Sequence, residues 1–88
     1  MSGPQTEFSF QLTFSKVLTE EEQEKMWDVL IEEIEGMNCY AGGGNSAIAL
    51  DWVIDCSASP LSQFQIQTRL QNLINGMGML IVECRFGA

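Results

Sequence analysis

Residues 7–36, EFSFQLTFSKVLTEEEQEKMWDVLIEEIEG, read as a strand followed by a helix, and the two different periods in this stretch decide the fold. Over 7–14 the pattern alternates strictly. Phe8, Phe10, Leu12 and Phe14 share one face, and Ser9, Gln11 and Thr13 share the other, as in a half-buried strand. Thr19 followed three residues later by Glu22 is a capping-box pattern and Gly36 supplies a stop, so the spacing predicts a helix over 20–35. Met26, Trp27, Leu30, Ile31 and Ile34 recur at helical spacing and form its apolar stripe.

Beyond Gly36, MNCYA is a short extended piece, GGGN reads as a turn, and SAIALDWVIDC alternates again, with Ile48, Leu50, Trp52, Ile54 and Cys56 on one side. Together they predict a hairpin. A second helix starts near Ser59-Pro60, or at Ser62 with Gln65 as its box partner. Its stripe is Ile66, Leu70, Leu73 and Ile74 with Phe64, and Gly76 ends it. In MLIVECRF, residues 79–86, Leu80, Val82, Cys84 and Phe86 alternate inward.

The order strand, helix, strand, strand, helix, strand, with right-handed crossovers, gives an α+β fold. It is a ferredoxin-like βαββαβ arrangement with a four-stranded antiparallel sheet and both helices on one face. The expected core includes Phe10, Phe14, Trp27, Leu30, Ile34, Trp52, Leu70 and Ile74. The open face of the sheet would carry Glu7, Ser9, Gln11, Thr13, Asp51, Val53, Asp55, Ile81, Glu83 and Arg85. At 88 residues the chain is read as a single domain over 1–88, with residues 1–6 a loose N-terminal end.

The net charge is −8, and residues 19–36 supply −7 of it, with eight carboxylates against Lys25 alone. Such acidity, with Lys16, Lys25, Arg69 and Arg85 scattered, argues against direct nucleic-acid binding and against anionic membranes. No apolar run reaches the length of a membrane span, and the start MSGPQTEFSF has neither a basic n-region nor an apolar h-region. A cytoplasmic location is therefore expected. Cys39, Cys56 and Cys84 lack metal-type spacing and suit reduced core thiols. There is no histidine, so the commonest general base and transition-metal ligand are both missing. No catalytic residue, metal ligand or cofactor is assigned.

Three features merit weighing as sites. Gly42-Gly43-Gly44-Asn45 leads into a strand rather than a helix N-terminus, which favours a hairpin turn over a phosphate cradle. Asp51, Asp55 and Glu83 form a secondary candidate surface on the open sheet face, where solvated carboxylates are expected rather than a cation site. The acidic helix is the third. At 100° per residue Glu20, Glu24, Asp28, Glu32 and Glu35 fall within an arc of about 80° to 120°, displaced by roughly 130° from the apolar stripe. With Glu21 they form one ridge. Like charges at i, i+4 cost about 0.2–0.5 kcal/mol each, and the helix dipole opposes Glu32, Glu33 and Glu35, so stability alone does not account for the ridge. Solubility is the competing explanation.

FSFQLTF, then LTEEEQEKMWDVLIEEIEGMNCYAGGGN, then LDWVIDC and a second helix, resembles the YggL family, small proteins associated with the large ribosomal subunit. The similarity lies in Phe8 and Phe10, Leu18 to Glu22, Trp27-Asp28 with Ile31-Glu32, and Gly42 to Gly44. Family members also carry a basic N-terminal extension and an acidic, aromatic tail that have no counterpart here. The resemblance implies the same fold and a ribosome-associated role.

The expected function is a non-enzymatic acidic interaction domain. Glu20, Glu21, Glu24, Asp28, Glu32 and Glu35 would engage a basic protein surface or a ribonucleoprotein. An alternative is an acidic nucleic-acid mimic, such as a phage-encoded anti-defence or anti-CRISPR inhibitor of a DNA- or RNA-binding complex. A second alternative is a small-molecule-binding ferredoxin-like domain, which needs a pocket with convergent polar groups. The last strand, as a sheet edge, could also pair with a copy of itself to give a homodimer.

Overall fold

The computed structural model of the chain describes residues 6–87. The elements follow in the order β1 (Glu7–Phe14), α1 (Glu20–Gly36), β2 (Tyr40–Asn45), β3 (Ala49–Asp55), α2 (Gln63–Asn75), a short 3-10 turn (Gly78–Leu80) and β4 (Ile81–Gly87). They form one antiparallel sheet in the order β2-β3-β1-β4. This is the ferredoxin-like arrangement. Of the expected loose end, residues 1–5 lie outside the described residues, and the Thr6 carbonyl accepts from the Cys56 amide at 2.7 Å.

The alternation in β1 sets the layers. Phe8, Phe10, Leu12 and Phe14 are buried, and they join Met26, Leu30 and Ile34 of α1 and Ile66, Leu70 and Ile74 of α2 in one core. Leu50, Trp52 and Ile54 add the β3 contribution. Phe86 of β4 stacks on Phe10 with ring centroids 5.5 Å apart and meets Phe8 edge-on at 6.0 Å. Ser9, Gln11 and Thr13 point the other way, toward the open face.

Both helices start as their sequences predict. Thr19 Oγ1 accepts from the Glu22 amide at 3.1 Å while Glu22 Oε1 accepts from the Thr19 amide at 3.0 Å. For α2 the choice falls on Ser62, whose Oγ accepts from the Gln65 amide at 3.2 Å with the reciprocal bond at 2.9 Å. The stop of α1 differs from expectation. Gly36 is the last helical residue, and the left-handed position is Asn38, at φ 58°. The Asn38 amide donates to the Glu35 carbonyl and the Cys39 amide to the Ile34 carbonyl, a Schellman arrangement with asparagine in glycine's usual place.

Several expected placements are corrected. Gly42, Gly43 and Gly44 belong to β2 rather than to a turn, and the chain reverses over residues 46–48, where Ser46 Oγ accepts from the Ile48 and Ala49 amides. Ile48 therefore sits on the turn, 58% exposed. Phe64 is 77% exposed because two residues along a helix turn about 200°, which puts it opposite Ile66. Trp27 is half-buried at the border of the stripe rather than inside it.

In β4, Thr13 faces Glu83 but Phe14 faces Ile81, so Val82 is the extra residue of a bulge and is 64% exposed. Leu80, Cys84 and Phe86 pack inward as expected, and the bulge reverses the parity at 81 and 82 alone. Ile81 packs toward the core and Val82 does not.

Candidate functional site

The acidic ridge follows from the angular spacing of its residues around α1. The stripe that is buried is narrow, Met26, Leu30 and Ile34, and leaves most of the helix circumference to solvent. Glu20, Glu21, Glu24, Asp28, Glu32 and Glu35 are all exposed. Successive members four residues apart are about 6 Å apart along the axis, one carboxylate per turn.

Little positive charge offsets them. Lys25 Nζ lies 3.5 Å from Glu21, and Lys16 Nζ lies 2.8 Å from Glu22, which belongs to the cap and not to the ridge. Among the described residues no side-chain hydrogen bond or ion pair engages Glu24, Asp28, Glu32 or Glu35, and the last turn of α1 holds no basic residue. Glu22 differs. Its contact with Lys16 and then the Thr19 amide hold its carboxyl below the ordinary glutamate range.

The structure adds one residue that the periodicity had assigned to the core. Trp27 lies between the stripe and the ridge and, with Glu20, Gln23 and Glu24, lines a hollow of ≈ 370 Å³. A partly exposed indole beside carboxylates is a combination that suits a cation, which an aromatic ring and counter-charge both attract. At about 20° before Glu20 around the helix Trp27 borders the ridge, but angle alone does not tell whether a neighbour covers it. On the far side of the stripe, Val29, Glu32, Glu33 and Leu73 line a second hollow of ≈ 340 Å³.

The secondary residues do not converge. Asp55 stands opposite both Glu7 on β1 and Tyr40 on β2, Asp51 lies in the row with Gly44 and Gln11, and Glu83 pairs with Thr13 at the other end of β1. Asp51 Oδ1 accepts from Gln11 Nε2 at 3.3 Å, and Asp55 Oδ1 accepts from the Ser57 amide at 2.9 Å. That bond holds the Asp55 carboxyl below its ordinary value. Glu83 is taken by Arg85 at 2.6 Å. Among the described residues no three His, Cys, Asp or Glu side chains gather as metal ligands would.

The three cysteines are free, Cys39 and Cys56 buried and Cys84 half-buried, and loss of hydration raises each thiol above its ordinary pKa. That makes them poor nucleophiles. No helix among the described residues is long and apolar enough to cross a membrane. Comparison of the chain with protein-family models, with curated proteins and with solved structures gave no match.

Proposed function

We propose that the protein is a non-enzymatic interaction domain that presents the acidic face of α1 to a basic macromolecular surface. The observation that carries this reading is the row Glu24, Asp28, Glu32 and Glu35, exposed and without a partner side chain among the described residues, running beside the half-buried Trp27. Ordered charge of one sign speeds encounter with a complementary surface and disfavours wrong partners. The indole supplies the kind of aromatic anchor on which interfaces concentrate their affinity. The ribosome-associated form of this reading rests on the resemblance to the YggL family. The regular one-per-turn carboxylates also favour a second reading, an acidic mimic occupying a groove built for nucleic acid.

The test is capture of partners from lysate with the native chain and with the triple variant Glu24→Lys, Asp28→Lys, Glu32→Lys. The native complex should dissociate between low and moderate salt, because exposed charges are screened over about 10 Å at 0.1 M. The variant should stay folded and lose the partner. A partner that elutes at the same salt with and without the reversal removes the ridge from consideration.

A further inference from the structure

We infer that the outer edge of β2 is a docking site for an extended basic segment of another protein, which would add to the sheet as a fifth strand. This goes beyond the helix reading and stands without it, because a different surface carries it.

The two edges of the sheet are treated differently. β4 has a bulge at Val82 that interrupts its ladder, and the Glu83–Arg85 ion pair sits along it. Both are devices that discourage a strand from adding. β2, YAGGGN, has no charge, no proline and no bulge, and all its residues but Ala41 are exposed. Among the described residues, the backbone of 40–45 makes no hydrogen bond outside its ladder with β3. Its outward amides and carbonyls offer a template to any extended chain.

Charge selects the occupant. On the open face, Gly42 and Gly44 stand in front of Val53 and Asp51, and Tyr40 stands in front of Asp55. A shallow hollow of ≈ 630 Å³ extends inward from this edge across the sheet, lined by Tyr40 to Gly43 of β2, Val53 and Asp55 of β3 and Glu7 of β1. An added strand would lie roughly 10 Å from β3, two strand spacings away. Because Gly42 and Gly44 carry no side chain, a Lys or Arg on the added strand can cross over β2 to reach Asp51, and another can pass Tyr40 to reach Asp55. A second copy of this chain is a poor occupant. It would bring another net −8 to an edge already flanked by carboxylates, and its own β2 has no cation to offer.

The experiment titrates the labelled protein with a short synthetic peptide alternating Lys or Arg with Thr or Val, following backbone amide shifts and exchange. The inference expects shifts and protection concentrated at Tyr40–Asn45. It also expects no binding by the Glu-substituted peptide, and opposite results from peptides N-methylated on alternate residues, one parity silent and the other binding.

The double variant Asp51→Asn, Asp55→Asn should bind roughly three- to tenfold more weakly, the size expected of two exposed ion pairs. The helix variant Glu24→Lys, Asp28→Lys, Glu32→Lys should still take the peptide at β2, which separates this site from the ridge. Shifts confined to α1, equal binding by both N-methylated peptides, or concentration-dependent dimerisation with 40–45 protected in the absence of peptide would each overturn the inference.

Discussion

Gly43 stands opposite Trp52 on the neighbouring strand, at φ 141°, and a Cβ at this position would collide with the Asp51 carbonyl. Close backbone approach at this point holds the β2–β3 register that sets Gly44 beside Asp51 and Tyr40 beside Asp55. Gly43→Ala should therefore destabilise the protein by about 1–3 kcal/mol. Gly42→Ala, where a side chain meets open space, should stay within about 0.5 kcal/mol of native. Urea denaturation midpoints of the two variants measure the contrast, and equal midpoints would refute the assigned register.

Asn38 closes α1 in a left-handed conformation that glycine adopts without strain. Asn38→Gly should leave stability unchanged or raise it slightly. Asn38→Val should lower it by about 1–2 kcal/mol, because a branched side chain meets the following carbonyl there. Thermal unfolding of the pair checks this. Glycine at 36 misled the sequence reading because it ends the stripe, while the residue that turns the chain lies two positions on.

Glu35 sits in the last turn of α1, where the helix dipole favours a cation and none is present. Glu35→Lys should stabilise the domain by about 0.3–1 kcal/mol, read from the denaturant midpoint at low salt, and the gain should shrink as salt rises. If the ridge meets a basic partner, the same variant should weaken that complex, so stability and binding would move in opposite directions.

Glu22 gives an acid-limb prediction. Its folded pKa lies below the ordinary value of 4.5, held down first by Lys16 and then by the Thr19 amide. A depressed carboxyl contributes stability that is present above the ordinary value and lost as pH falls through the folded one. Gln65 shows that glutamine can close the same kind of box, so Glu22→Gln keeps the cap and removes the charge. The stability difference between native and Glu22→Gln should be largest at neutral pH and vanish on acidification below about 4.5. Denaturant midpoints across that range follow it, and a difference that persists at low pH would contradict the role of charge.

The fold was legible because β1 alternates without a break and both helices carry explicit caps at Thr19 and Ser62. What escaped lies where local pattern and tertiary pairing diverge. The alternation in residues 79–86 looked continuous, but the bulge opposite Thr13 and Phe14 shifts its parity, and only pairing with β1 reveals that. Three glycines suggested a turn, whereas the Ser46 hydroxyl, with its bonds to two amides, builds the turn just beyond them. The ridge was readable from angle alone. Trp27 was not, because an indole at the edge of a stripe scores as core whether or not a neighbour covers it.

The central place of β1 between β3 and β4 shapes how the chain must fold. Phe10 finds Phe86 from nearly the whole length of the sequence away, so the pairing that completes the sheet is among the most non-local available. During synthesis at about 5–20 residues per second, roughly 3 to 13 seconds separate the emergence of β1 from that of β4. Until α1 and β3 have emerged, Phe8, Phe10, Leu12 and Phe14 lack the residues that cover and pair with them in the fold. The next segment to emerge is α1, and its eight carboxylates place like charge beside that apolar strip, the arrangement by which charged flanks oppose association of exposed strands.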